Sequence, residues 1–119
     1  MGGWTMHPPP MRVLALLCVP ALLACAGGLS SGIGQFDDGR YPEAKQTFAS
    51  LEPESRSWDD AHRARYALYR GLTYGALGDK GRAATWLREA RAIVLEHPDA
   101  LPPEDRQRLK AGLDTYEVP

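Results

Sequence analysis

The chain has 119 residues, 44% of them hydrophobic and 24% charged, which is enough for one small folded domain. Its 14 basic and 15 acidic side chains give a formal net charge of -1 at neutral pH. A surface that binds nucleic acid normally needs an excess of basic residues, so we expect no nucleic-acid partner.

Residues 1–24 are predicted to be a signal peptide. The segment from Met1 to Pro10 is polar and rich in proline, whereas Arg12 is followed by an apolar run from Val13 to Ala24. One positive charge, an apolar run and then small residues are the order found in bacterial secretion signals. Because Arg12 stands directly before the apolar run, we predict that translation begins at Met11.

The sequence Leu22-Leu23-Ala24-Cys25 resembles a lipobox, the site at which bacterial lipoprotein signals are cut before a cysteine. The resemblance implies that Cys25 carries lipid such as palmitate and anchors the chain on the periplasmic side of the outer membrane. The alternatives are an uncleaved anchor and an ordinary signal peptide with an incidental cysteine, either of which gives a periplasmic protein without lipid. Residues 25–31 are small and are expected to form a flexible tether, so the folded domain is predicted at residues 32–119.

A first pair of helices is predicted between residues 30 and 51. Its spacing of small and large residues recurs later in the chain: Phe36, Gly39, Tyr41, Ala44 and Phe48 mirror Gly75, Gly78, Lys80, Ala83 and Leu87. The first of these helices, over 30–38, is expected to be frayed, because Gly32 and Gly34 each cost about 1 kcal/mol in a helix. Residues 52–57 separate this pair from the next, and Ser57 with Asp60 resembles a capping box.

Residues 64–92 predict a helical hairpin. One apolar face of its first helix is formed by Leu68, Leu72 and Ala76, with Ala61 and Ala64 upstream. Gly78 can take the left-handed conformation that ends this helix, and Asp79 can cap the next one. The second helix buries a stripe that consists of Ala83, Trp86, Leu87, Ala90, Ile93 and Val94. Two helices joined by so short a turn lie antiparallel.

The residue pattern of this hairpin resembles the tetratricopeptide repeat, a unit of about 34 residues. The matching positions are Gly71, Tyr74, Gly78, Ala83, Leu87 and Ala90. The sequence departs from the family at Ala67 and Arg70, where a bulky residue and a leucine are usual. The resemblance implies an all-α solenoid of about two helical hairpins. We also predict that Gly71 faces Ala83 across the hairpin, because small side chains let helices approach closely.

A last helix is predicted to begin at Pro103 and to cap the solenoid. Its apolar stripe consists of Leu109, Leu113 and Tyr116, and its opposite face carries Arg106, Lys110 and Asp114. A polar outer face is what a terminal solenoid helix requires.

We find no catalytic or metal-binding constellation in the sequence. His62 and His97 have no second histidine or cysteine at metal-ligand spacing. The acidic pairs Asp59-Asp60 and Glu104-Asp105 stand at predicted helix starts, where capping is their expected role. We therefore expect no enzyme activity, cofactor, metal or small-molecule substrate, and no buried polar cluster.

The resemblance to tetratricopeptide repeats implies that the first helix of each hairpin lines a groove for a protein partner. The candidate partner-binding residues are Arg65, Leu68, Tyr69 and Leu72. Tyrosine and arginine are the types that anchor interfaces, although packing between helices is the alternative role of Tyr66 and Tyr69. The expected partner is another envelope protein or peptide, with the membrane contacted through the N-terminal lipid. The alternative function is a small subunit that completes the helical solenoid of a partner.

Overall fold

The computed structural model describes residues 27–119, and this part of the chain is all-α, as predicted. Helix α1 includes residues 27–37. The following elements are α2 (Tyr41–Ser50), α3 (Glu52–Ser55), α4 (Asp60–Ala76), α5 (Lys80–Glu96), a 3-10 turn (Pro98–Ala100) and α6 (Pro103–Thr115). The predictions for the signal peptide, for Met11 and for Cys25 concern residues outside the described range.

The helices form two hairpins and a terminal helix. Helices α1 and α2 form the first hairpin, in which the Thr47 hydroxyl donates a hydrogen bond of 2.7 Å to the side chain of Gln35. Helices α4 and α5 form the second hairpin, and α6 packs against both of them. Leu109 of α6 is buried while Arg106, Lys110 and Asp114 are exposed, which confirms the predicted two faces of the last helix.

Both hairpins turn on a glycine with positive φ, at Gly39 (+77°) and Gly78 (+85°). This conformation strains any residue that has a Cβ, so glycine ends α1 and α4 at no steric cost. The carboxylate of Asp79 then accepts a 3.0 Å hydrogen bond from the backbone N–H of Arg82 and caps α5. The turn predicted from the sequence is therefore confirmed.

Each hairpin also brings a glycine of its first helix against a large side chain of its second. A Cβ atom on Gly32 would lie 2.5 Å from the Phe48 ring, and one on Gly71 would lie 2.9 Å from Cγ of Leu87. The backbone nitrogen of Leu87 is only 3.1 Å from the same position, so the two helices approach too closely for a side chain on Gly71. The residue facing Gly71 is thus Leu87, and the prediction that it is Ala83 is wrong.

Helix α1 is longer and better packed than the sequence suggests. Leu29 and Ile33 are 6% and 8% exposed and belong to the hydrophobic core. Burying one such side chain contributes about 1.5–3 kcal/mol, which outweighs the cost of about 1 kcal/mol for a helical glycine. Residues 27–31 are helical rather than a tether, so the folded domain begins by residue 27 and the predicted boundary at residue 32 is too late.

The structure of the segment between the hairpins also differs from the prediction. It forms the short helix α3, and α4 begins one residue after Asp59. The Asp59 carboxylate accepts the 2.9 Å hydrogen bond from the backbone N–H of His62 and is the N-cap of α4. The hydroxyl of Ser57 instead donates to the carbonyl of Glu54, so the capping box predicted at Ser57 is absent.

Helix α4 is buried over far more of its circumference than its apolar stripe predicts. Ala61 and Ala76, which we expected inside, are exposed near its two ends. Its buried set, by contrast, includes polar side chains, namely Tyr66, Tyr69, Arg70, Thr73 and Tyr74. The reason is that α4 is surrounded: α2, α5 and α6 all pack on it, and Phe36 of α1 contacts it through Tyr69.

The close approach at Gly71 leads to a stability prediction. We expect Gly71→Ala to lower the free energy of unfolding by about 1–3 kcal/mol, because the added methyl group overpacks the contact with Leu87. Gly34→Ala is the matched control: a Cβ there meets nothing within 4 Å, and alanine is the better helix former. Urea melts should show a lower midpoint for Gly71→Ala and an unchanged or higher one for Gly34→Ala. An unchanged midpoint for Gly71→Ala would contradict the packing.

Candidate partner-binding site

A groove, here called the α1–α6 groove, lies between the first and last helices. It encloses about 350 Å³ and is lined by Phe36, Asp37, Tyr41, Leu72, Arg108, Ala111, Gly112, Thr115 and Tyr116. Leu72 is the α4 member of this set, and a Cβ on Gly112 would lie 2.9 Å from Cδ2 of Leu72. One of the four predicted partner-binding residues therefore does line a groove.

Three aromatic residues, Phe36, Tyr41 and Tyr116, line this groove. The Phe36 ring lies 5.4 Å from the Tyr41 ring and meets the Tyr69 ring edge-on at 5.5 Å. On the side of α6, the Tyr116 ring occupies the space into which a Cβ atom on Gly75 would project. Aromatic surface between helices is typical of sites that accept a side chain from a partner.

The other predicted partner-binding residues have different surroundings. Leu68 is fully buried and Tyr69 is 3% exposed, so neither side chain is accessible to a partner in this structure and their assignment needs correction. The physical reason is that α1 and α6 cover the face of α4 that was expected to be open. Arg65 keeps 42% of its side chain exposed. Tyr66 is 2% exposed, in agreement with the alternative of helix packing.

A buried polar network connects α4 to α6 beneath the groove. Only 7% of the Asp105 side chain is exposed. Its Oδ1 accepts a 2.8 Å hydrogen bond from the Tyr69 hydroxyl, and its Oδ2 accepts one of 3.1 Å from Nε of Arg65. The expected role of Asp105 was capping at the start of the last helix, but no side chain caps α6. Asp105 instead holds two residues of α4 in place, and burying its charge is tolerable because both donors are present.

The network continues from α4 to α1 through Arg108. One guanidinium nitrogen of Arg108, Nη1, donates to the Tyr69 hydroxyl oxygen and to the Asp37 carboxylate, at 3.2 Å in each case. Burial, followed by the hydrogen bond to the Asp105 carboxylate, raises the pKa of Tyr69 to about 12. Tyr69 is therefore held neutral at the junction of three helices.

A second buried polar cluster surrounds Arg70, the residue that replaces the leucine usual in the repeat family. Its Nη1 donates to the Glu52 carboxylate at 2.6 Å and to the Tyr66 hydroxyl at 2.8 Å. Its guanidinium carbon lies 4.4 Å from the centroid of the Trp86 ring. The hydrogen bond from Arg70 is the main reason that the pKa of Glu52 is lowered. The expectation of no buried polar cluster is thus wrong for both networks.

A second and larger groove, the α3–α5 groove, lies on the other side of α4. It encloses about 590 Å³ and is lined by Glu52, Ser55, Arg56, Arg63, Tyr66, Ala67, Thr85, Trp86, Glu89 and Ile93. Its charged groups pair with residues of this chain: Glu52 accepts from Arg70, and Arg63 donates to Glu89 at 3.3 Å. Four charged side chains line this groove, namely Glu52, Arg56, Arg63 and Glu89, whereas the α1–α6 groove has two, Asp37 and Arg108. The α1–α6 groove therefore offers the less charged surface to a partner.

Each of the two histidines of the described range lies against a surface carboxylate. Nδ1 of His62 lies 2.7 Å from Asp59, and Nε2 of His97 lies 3.1 Å from Asp60. Within residues 27–119, no group of three or more His, Cys, Asp or Glu side chains is placed to hold a metal ion. No helix of the same range is both long and apolar enough to cross a membrane.

Comparison of the chain with known protein families, with curated proteins and with solved structures gives no match. Its function is therefore inferred from its own residues and their geometry.

The Tyr69–Asp105 hydrogen bond can be tested by removing one hydroxyl. Tyr69→Phe should lower the free energy of unfolding by about 1–3 kcal/mol, because the buried Asp105 carboxylate loses a donor. Tyr41→Phe is the control, since Tyr41 lines the same groove but is partly exposed, and it should change stability by less than about 0.5 kcal/mol. Urea melts at pH 8 measure both, and equal midpoints for the two variants would contradict a structural role of the hydrogen bond.

The raised pKa of Tyr69 predicts a loss of stability in alkali. The unfolded state releases the tyrosine proton near pH 10, whereas the folded state keeps it until about pH 12. The unfolded state therefore binds fewer protons in this window, so the stability present below pH 10 is lost as the pH rises toward 12. In urea melts from pH 8 upward, the free energies of unfolding of the wild type and of Tyr69→Phe should converge as the pH approaches 12. Parallel pH curves would show that Tyr69 does not titrate in this way.

Proposed function

We propose that this chain is a protein–protein interaction module of the bacterial envelope, held at the outer membrane by lipid on Cys25. Its α1–α6 groove receives a segment of another envelope protein. The observation that carries the proposal is the groove itself, in which Phe36, Tyr41 and Tyr116 present aromatic surface beside Leu72. Buried aromatic anchors contribute most of the binding energy in typical interfaces.

The repeated architecture of the chain supports this proposal. Gly39 and Gly78 make equivalent turns, and Phe48 and Leu87 are the fully buried large residues that follow them. Stacked hairpins of this kind generate the grooves by which tetratricopeptide repeats bind peptides, so the resemblance in the sequence and the groove point to the same class of function. The polar networks around Tyr69 and Arg70 hold the groove-forming helices in position and offer no group that is poised for catalysis.

The outer faces of the domain favour a complete module over a subunit that finishes the solenoid of a partner. Helix α6 exposes Arg106, Lys110 and Asp114, and α2 exposes Glu43 and Lys45. A hairpin that continues into another protein needs an apolar end face, whereas charged end faces are typical of solenoid caps.

Binding in the groove can be tested by site-specific photo-crosslinking in cells. A photoreactive amino acid at Thr115, which is exposed and lines the α1–α6 groove, should capture a discrete envelope protein. The same amino acid at Arg88, exposed on α5 and absent from the groove lining, is the positional control. Tyr41→Ala should reduce capture from Thr115 by about tenfold or more, as loss of an aromatic anchor typically does. Equal capture from Thr115 and Arg88 would contradict the assignment.

Lipid attachment is tested separately from binding. The lipobox resemblance predicts that the wild-type protein partitions into detergent and that Cys25→Ser loses both this partitioning and the mass of the lipid. Cys18→Ser is the control, because Cys18 lies within the predicted signal and should leave the mature protein unchanged. A Cys25→Ser protein that keeps its mass and its detergent partitioning would exclude the lipoprotein proposal while leaving the groove unaffected.

A further inference from the structure

An ion pair spans the α1–α6 groove from one side to the other. Asp37 is the last residue of α1 and Arg108 comes from α6, and both line the groove. Oδ1 of Asp37 lies 3.2 Å from Nη1 of Arg108. The guanidinium of Arg108 also lies over the ring of Tyr69, 5.6 Å from its centroid. The pair therefore joins the two sides of the groove directly above Tyr69.

The position of Asp37 is not explained by the stability of its own helix. A carboxylate in the last turn meets the negative end of the helix dipole, so Asp37 disfavours α1 locally. Arg108 offsets this repulsion, but the side chains of the pair are 49% and 46% exposed, and water competes for both of them. Ion pairs that are this exposed are weak and are screened by salt. A weak contact across a groove is suited to opening and closing.

We propose that the Asp37–Arg108 pair is a latch that keeps Tyr69 covered beneath the α1–α6 groove in the unbound protein and opens to expose Tyr69 to the partner. This inference rests on the proposed function, to which it adds regulation. Phe36, whose ring packs against that of Tyr69, precedes Asp37 in α1, so both residues move with the end of one helix. Arg108 also lies over the Tyr69 ring, and without Asp37 it is held there only by its hydrogen bond to the Tyr69 hydroxyl. Arg65, whose guanidinium also lies over the Tyr69 ring, is held by the buried Asp105 and not by the latch.

The latch makes a prediction about solvent access that requires no partner. In hydroxyl-radical footprinting of the full-length chain, Asp37→Asn should raise the labelling of Tyr69 about two- to fivefold, the range expected for loss of an exposed ion pair. Wild-type protein in about 1 M salt, where charges are screened within about 3 Å, should show an increase in the same direction. The salt experiment tests the latch even if the variant fails to fold.

Two controls separate opening of the latch from general loosening. Asp38→Asn removes the same charge one residue away and should leave the labelling of Tyr69 unchanged. Tyr66 is as buried as Tyr69 but lines the opposite groove, so its labelling should stay constant in all samples. Unchanged labelling of Tyr69 in Asp37→Asn, or a joint rise of Tyr69 and Tyr66, would overturn the latch. Footprinting involves no partner, so it tests the latch alone, whereas capture from Thr115 tests partner binding. Either proposal can therefore fail while the other holds.

Discussion

The polar side chains buried on helix α4 are the constraint on which the rest of the domain depends. Burying a charged or hydroxyl group without a partner costs several kcal/mol, so each of these side chains needs its partner held in place. Arg70 obtains its partner from α3, through Glu52, and Tyr69 obtains its partner from α6, through Asp105. The short helix between the hairpins and the terminal helix are thus fixed in position by hydrogen bonds as well as by apolar packing.

This arrangement also explains why α4 separates two grooves of different character. On one side, the larger α3–α5 groove is lined by charged residues that are paired, such as Glu52 with Arg70 and Arg63 with Glu89. The Arg70 guanidinium also stacks on Trp86. On the other side, Tyr69 donates its hydroxyl hydrogen to Asp105 below the surface, and the lining includes three aromatic rings and Leu72 beside the Asp37–Arg108 pair. The polar groups that cost most to bury are neutralised internally, so the smaller groove can offer apolar surface to a partner.

The features predictable from the sequence were those with a local cause. Gly78 and Asp79 act within one turn of the chain, and the apolar spacing of α5 and α6 needs no knowledge of neighbours. Helix α1 was underestimated because the burial of Leu29 and Ile33 depends on residues of other helices. The site was harder to predict than the fold. Arg65 and Tyr69, one turn apart in α4, both donate to Asp105, which lies 36 positions after Tyr69. No local pattern indicates which acidic residue they will share. A stripe of apolar residues likewise cannot reveal that a helix will be covered on its other faces too.

The early start of α1 would limit how far the domain can stand from the lipid proposed on Cys25. Because residue 27 is already helical, lipid on Cys25 would leave at most two residues before the helix, and an extended chain spans at most about 3.6 Å per residue. The domain would then be held within roughly 10 Å of the lipid headgroups, whereas a long flexible tether would let it move farther away. Helix α1 rises by about 1.5 Å per residue, so Phe36 and the aromatic rings around it stand well over 10 Å farther along the helix than its first described residue. A partner would therefore have to reach the groove close to the membrane surface, and its own reach would limit which envelope proteins could be engaged.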